Sequence, residues 1–319
     1  MGFWIREKYI EGSRILSPMA GVSDSPHRRI TRNMGSAFSF TEFVSVEGIL
    51  MGKVKTLDLF RFHESERPIW FQIFGNNPEK IWTACKLIEE LNPDVIDLNM
   101  GCSVAKVAHK GSGAGLLKDP LKAGKIIEGM RKSVSLPITA KIRLGWDHSS
   151  LNYREVVHIL EESGVDAISV HGRTKKMGYS GRADWEKIAE IKSFAKVPIL
   201  GNGDISSGEE ADFRLKESGV DAVLIGRGAI GNPWIFGTKK KSDLSDQERF
   251  SVILEHLKLM KEFYGDEYGA ILFRKHLNKY LMDREDLNPL REKLIRSSSY
   301  TESVNLMSSY LYERTPIVK

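Results

Sequence analysis

The stretch VPILGNGDISSGEEADFRLKESGVDAVLIGRGAIG, residues 197–231, decides between two architectures that both alternate strand and helix. Its two apolar runs, VPILG and AVLIG, stay hydrophobic until their last residues. A parallel strand buried on both faces reads this way. The second run opens into GRGAIG, Gly226 to Gly231, which satisfies G-x-G-x-x-G literally. A dinucleotide-binding fold also needs a second βαβ half and an acidic residue closing the next strand. Here the charged stretch TKKKSDLSDQE, residues 238–248, follows instead. Paired with GNGD, Gly201 to Asp204, the turn reads as one of two adjacent βα turns, where (β/α)8 barrels bind phosphate after strands seven and eight. The simpler alternative is two tight turns that merely need φ > 0.

Working outward, the same kind of run recurs at intervals of roughly 25 to 40 residues, each followed by a helical pattern, as repeated βα units require. The runs end near Ser17, Glu42, Gln72, Asn99, Lys141, His171, Asn202 and Gly226, which makes eight. Closed into a barrel, they bring their polar ends to the C-terminal rim, where barrel enzymes place their chemistry. A barrel needs about 250 residues, so a chain of 319 leaves a remainder. After Gly237 the strand signal stops, and RFSVILEHLKLMKEFYG and AILFRKHLNKYLM repeat apolar residues at helical spacing. The expected fold is α/β, a (β/α)8 TIM barrel over residues 1–240, followed by a small helical domain over 241–319.

Composition narrows the function classes. A hydrophobic content of 41% with 28% charged residues supports a packed core rather than disorder. The opening MGFWIREKYIEGSR has no apolar core of a signal peptide, and no later run approaches a membrane span, so a soluble, cytoplasmic protein is expected. Two cysteines, Cys85 and Cys102, fit neither a disulfide framework nor a zinc cluster. The eight histidines show no metal-ligand spacing, so no metal is expected. A net charge of +5 permits an anionic partner without demanding one. Oligomeric state is not readable, with a monomer the favoured reading.

DLNMGCSVAKV places Cys102 just beyond the fourth run, on the rim. A thiol there suits an acid, a nucleophile or a ligand, and a buried small hydrophobe is the plain alternative. Cys85, in the amphipathic IWTACKLIEEL, fits that alternative. Lys141, Arg143, His171 and Arg173 end the fifth and sixth runs and could hold an anionic cofactor or a phosphate backbone. In FRKHLNKYL, Arg274, Lys275 and Lys279 suggest a phosphate-gripping helix or an ordinary solvated face.

Taken in order, SPMAGVSDSPHRR, TEFVS, PIWFQIFG, DLNMGCSVAKVAHKGSGAGLL, ITAKIRLGWD, VHGRTKKMGYSGRADW, VPILGNGDI and AVLIGRGAIGNPWIF resemble the successive blocks of the tRNA dihydrouridine synthases, from about Leu16 to the FRKHL helix. The resemblance implies an FMN-dependent enzyme, with NADPH as electron donor, that reduces uridine to dihydrouridine in tRNA. It implies Pro18, Met19 and Ala20 along the flavin, Gln72 and Lys141 at its ring, His171 beside the flavin, and Asn202, Gly203, Asp204, Gly226 and Arg227 at its phosphate end. It further implies Asn99 and Arg173 orienting the uracil, Cys102 as proton donor, and the helical domain as a tRNA-binding module. Four positions depart from the pattern: Ser17 for alanine, His27 for phenylalanine, Ser103 for proline and His109 for arginine. Loss of the proline at Ser103 is expected to loosen the loop that aims Cys102. Two rivals stay open, a flavin barrel acting on free pyrimidines and a tRNA-binding folding factor with a decayed flavin site.

Overall fold

Parallel pairing draws the expected runs into a nearly closed barrel in the computed structural model, which describes residues 2–314. An antiparallel hairpin comes first, β1 (Gly2–Ile5) and β2 (Lys8–Glu11). The barrel strands are β3 (Arg14–Leu16), β4 (Ser39–Phe40), β5 (Val44–Ser45), β6 (Ile69–Phe74), β7 (Val95–Met100), β8 (Ile138–Arg143), β9 (Ala167–His171), β10 (Ile199–Asn202) and β11 (Ala222–Ile225). Their order is β3-β11-β10-β9-β8-β7-β6-β4, with β5 a second short piece against β6. The run expected to end near Glu42 is thus broken in two: the Thr41 hydroxyl takes the Gln72 N–H at 3.1 Å in place of a ladder carbonyl, and the Glu42 carboxylate accepts the Gly21 N–H at 2.6 Å. Between β3 and β4 side chain replaces ladder. The Ser36 hydroxyl accepts from Leu16 N–H (3.0 Å) and donates to the Phe38 carbonyl (3.1 Å), while Ala37 N–H donates to the Arg14 carbonyl (2.9 Å).

Period-two alternation sorts the strand residues. In β7 the apolar Ile96, Leu98 and Met100 join the core that also takes the helix residues Ile126, Ile127 and Met130, while Asp97 and Asn99 take the opposite, inward face. The N-terminal end of the barrel is filled by an aromatic cluster in which Phe38 stacks on Trp70 at 4.0 Å, closed by Phe3, Ile5 and Ile10 of the hairpin. Arg6 and Lys8 fasten that hairpin to Asp166 and Asp94, which precede β9 and β7. Cys85 packs on the helix Pro78–Glu89 with no exposed surface, and burial pushes its thiol up to about 12.

Beyond the barrel a bundle of four helices, Asp246–Tyr264, Asp266–Leu281, Asn288–Arg296 and Tyr300–Arg314, begins at a capping box made by Ser245 and Glu248. It has its own core, including Phe250, Ile253, Met260, Phe273 and Leu281, which Ile30 and Trp234 of the barrel side complete. At this junction His27, His256 and His276 meet, with ring centroids 4.6 to 5.7 Å apart. All three are buried, and neither nitrogen of His276 has a hydrogen-bond partner. Burial holds each imidazole neutral, His27 down to about 4.

A stability consequence follows from linkage. The unfolded chain takes up these protons below about 6.5 while the fold does not, so stability is fully present above that pH and is lost as pH falls. Asp24 beside the cluster opposes this, since burial raises its carboxyl to about 6 and the fold takes up that proton first. His276→Phe leaves the Asp24 contribution in place. Between pH 6 and 5 its unfolding free energy should fall less steeply than the wild type's, by about 1 kcal/mol per pH unit, somewhat under one full proton. Equal slopes in urea unfolding of the two proteins would refute the assignment of a neutral His276.

Candidate active site

Two polar layers fill the C-terminal half of the barrel. The lower layer is Gln72, Asp97 and Thr139, and none of the three is more than marginally exposed. Asp97 is an acceptor from both neighbours, taking the Thr139 hydroxyl at 2.6 Å and the Gln72 Nε2 at 2.8 Å. That contact fixes which way the Gln72 amide points, so its oxygen faces up and accepts from Asn99 Nδ2 at 2.8 Å. The Asn99 oxygen is then left for the N–H groups of Gly101 (3.2 Å) and Cys102 (2.9 Å). One buried carboxylate therefore orients two amides and the loop carrying the thiol. Burial raises the Asp97 carboxyl to about 6 against these hydrogen bonds. Asp97→Leu strands two donors and should cost about 2 to 3 kcal/mol in urea unfolding, with Asp97→Asn, which keeps an acceptor, costing less. Equal losses in the two variants would contradict this orienting role.

Above that layer Asn99, Lys141, His171 and Asn202 form the floor of a cleft of about 720 Å³. Lys141 Nζ donates to Asn202 Oδ1 at 3.0 Å, and Asn202 Nδ2 donates to the Leu224 carbonyl at 2.8 Å. Burial pulls the Lys141 ammonium down to about 7, Arg143 adds to the shift, and Asp97 opposes it. Burial and then the surrounding cations hold His171 neutral, well below its ordinary value. Pro18, Met19 and Ala20 follow β3 along one wall.

The two glycine turns meet backbone to backbone. A Cβ on Gly228 would lie 2.3 Å from the Ile205 carbonyl oxygen, so only glycine lets the turn after β11 pack on the turn after β10. Gly203 has φ +143°, and a Cβ there would sit 2.3 Å from that of Ala183. Gly226 has nothing nearer than Met19 Sδ at 3.5 Å, which leaves its face open to the cleft. Asp204, itself at φ +55°, pairs with Arg173 (2.7 Å) and Arg227 (3.2 Å). Arg227 remains mostly exposed, over the Tyr179 ring at 4.8 Å.

Cys102 lies half-buried on the opposite lip, with its carbonyl accepting from Ala114 N–H at 3.1 Å. Burial pushes its thiol up, while a hydrogen bond from Val104 N–H and the Arg143 cation pull the other way. Together with the two bonds to Asn99, the Ala114 contact ties down the loop that Ser103 was expected to loosen. Arg143 braces the same loop by donating to the Gly101 carbonyl at 2.7 Å, and to the carbonyls of Thr174 and Gly178.

The cleft thus gathers every site residue named from the sequence except Gln72, which lies beneath the floor and reaches it through Asn99. Arg173 is almost fully buried, held by Asp204 and the carbonyls of Ser180 and Gly181. Phe43, Tyr179 and Ser206 also line the cleft and were not singled out; Tyr179 sits inside the quoted GYSGRAD segment, the only signal for it. The Arg274, Lys275 and Lys279 group does not form one face. Arg274 is half-buried towards the Ser297 carbonyl, Lys275 donates to the Gly21 carbonyl on the barrel rim, and Lys279 is exposed. Among the described residues no His, Cys, Asp and Glu group is arranged to hold a metal ion, and no helix is long and apolar enough to cross a membrane.

Sequence comparison with known proteins points to one family. A sequence profile described as dihydrouridine synthase (Dus) matches residues 15–314. The tRNA-dihydrouridine synthase B of Pseudomonas aeruginosa is 38% identical over 276 residues, 84% of this chain and 83% of its own length. A probable tRNA-dihydrouridine synthase of Aquifex aeolicus is 36% identical over 301 residues, 92% of this chain and 94% of its own. Among solved structures, histamine dehydrogenase from Rhizobium sp. 4-9 superposes with a TM-score of 0.58 at 13% identity, over 81% of this chain and 50% of its own. A 2-naphthoyl-CoA reductase complex superposes at 0.56 with 12% identity, over 74% of this chain and 51% of its own. The chain spans about half the length of these two structures, and the likeness to them is one of fold alone.

Proposed function

The chain belongs to the dihydrouridine synthase family, and on that premise we propose that it is the FMN-dependent enzyme that reduces the C5–C6 double bond of specific uridines in tRNA, with NADPH as electron donor and Cys102 as proton donor. The observation that carries this reading is one cleft with a cationic, glycine-walled end and a half-buried thiol on its other lip.

The residues fit a flat, phosphate-bearing cofactor. The open face of Gly226, the close-packed turns at Gly203 and Gly228, and Arg227 would hold the phosphate end, with Asp204 keeping Arg227 in place. Lys141 would lie against the ring, where an anionic edge would restore the charge that burial weakens. Pro18, Met19 and Ala20 would border the ring through their backbone, and His171 would present a neutral imidazole to it. Bound there, FMN supplies the hydride that uracil receives at C6. Cys102 would give its proton to C5 and recover one from solvent, so one hydride and one proton saturate the bond. A thiol raised by burial keeps that proton until it is needed. Asn99 and Arg173 would orient the base, and Gln72 would act by holding Asn99. The target uridine must leave its stack to reach this depth, so flipping is expected. The helical bundle, with Lys279 exposed, would add backbone contacts to the folded RNA.

The test is a comparison of dihydrouridine in tRNA from cells with and without the gene. The reading requires specific positions to lose dihydrouridine on deletion, and to regain it with the wild-type chain but not with Cys102→Ala. An unchanged dihydrouridine profile would overturn it.

A further inference from the structure

Opposite the helical bundle, the rim carries a second basic feature outside the cleft. The Trp146 indole, just after β8, has Lys118 Nζ 3.6 Å and Lys175 Nζ 4.3 Å from its ring centroid. Three backbone bonds stitch the loops that follow β8 and β9 and so fix this placement: Leu144 N–H to the Arg173 carbonyl, Lys175 N–H to Gly145, and Lys176 N–H to Trp146. Lys118 ends the short helical segment that begins at Gly113, whose Ala114 N–H holds the Cys102 carbonyl. Among the described residues neither ammonium has a carboxylate partner. Asp147, the nearest acid in sequence to Trp146, is engaged by Lys176 at 2.7 Å and by Ser149 and Ser150. Two like charges gathered on one indole, stabilised by its π face but not neutralised, lower their mutual repulsion most by taking an anion.

We propose that the Lys118–Trp146–Lys175 platform grips the phosphodiester backbone of the RNA substrate. The inference rests on the tRNA-modifying reading above. Position selects the ligand. In the ring of eight strands β8 lies four places from β3, and the bundle docks on the segment after β3 through Lys275 on Gly21 and Tyr264 on Asp24. The platform and the bundle therefore stand on opposite sides of the cleft mouth. A folded RNA whose target base enters that mouth would span both, whereas a mononucleotide in the cleft would reach neither.

The test measures tRNA affinity over a salt series for the flavin-loaded full chain and for Lys118→Gln/Lys175→Gln. Removal of two phosphate contacts should weaken binding at low salt by about tenfold or more and reduce the slope of log K against log salt by about 1.4 to 1.8. Flavin content and NADPH-driven bleaching should not change, because neither lysine lines the cleft. A Lys86→Gln/Lys216→Gln variant, equal in charge and remote from the rim, should bind as the wild type does. Trp146→Ala, which keeps both charges but frees them, should lower affinity roughly threefold and leave the slope unchanged. If the wild type binds tRNA and the Lys118/Lys175 variant matches it in affinity and slope, the platform is overturned and the reaction stands. If the wild type itself fails to bind tRNA, the tRNA reading falls.

Discussion

Replacing Cys102 by alanine should slow the tRNA-dependent reoxidation of the reduced protein by about 10²-fold or more, the lower range for loss of a general acid. The thiol lines the cleft, and burial keeps it in the protonated form that donation requires. The loop that carries it is held by the Gly101 and Cys102 N–H groups donating to the Asn99 side-chain oxygen and by Ala114 N–H donating to the Cys102 carbonyl. None of these bonds uses the sulfur, so the alanine variant should fold, bind the flavin and accept electrons from NADPH as the wild type does. Cys85→Ala is the matched control. That side chain is fully buried on a barrel helix, remote from the cleft, so its loss should cost stability without changing the reoxidation rate. Equal reoxidation of the two variants with tRNA would remove Cys102 from the chemistry.

Gly203→Val should yield a protein that retains little or no flavin. The position needs φ +143°, which L side chains rarely adopt, and the added Cβ would fall 2.3 Å from Ala183 Cβ. The turn cannot move freely to relieve this, because Trp185 Nε1 holds the Gly203 carbonyl at 3.0 Å and Asp204 is held by Arg173 and by Ala183 N–H. Distortion should therefore pass to the phosphate end of the cleft. Lys141→Ala should lower flavin content by a different route, removing a ring contact while leaving the turns intact. Full flavin occupancy in both variants, measured by absorbance after gel filtration, would count against the proposed site.

The barrel was legible because its strands are buried on both faces and end in polar groups; Asn99, Lys141, His171 and Asn202 all emerged from that break in hydrophobicity and share one floor. The depth of each inward residue was not legible. Gln72 and Asn99 both end apolar runs, yet the register that pairs Gln72 with Asp97 sets it one layer lower, and register is a property of two strands together. Asp97 stayed unread for the same reason, as its role appears only when β6, β7 and β8 stand side by side. Local pattern also missed the break between β4 and β5, since there the Thr41 hydroxyl takes the N–H of Gln72, 31 residues away. The Arg274, Lys275 and Lys279 group was legible as charge but not as direction: tertiary packing draws Arg274 to Ser297 and Lys275 to Gly21. The histidine cluster joins positions 27, 256 and 276, and only the docking of the bundle onto the barrel brings them together.

On the proposed function, electrons loaded into this cleft leave it into a uridine of tRNA. An anaerobic single turnover tests that directly: the purified protein is reduced with NADPH, freed of excess nucleotide, and mixed with an unmodified tRNA transcript or with free uridine at the same uridine concentration. The transcript should return the oxidised-flavin spectrum with one dihydrouridine formed per flavin, while free uridine should leave the protein reduced. Reoxidation by free uridine as fast as by the transcript, or reoxidation by the transcript with no dihydrouridine in it, would overturn the proposed function.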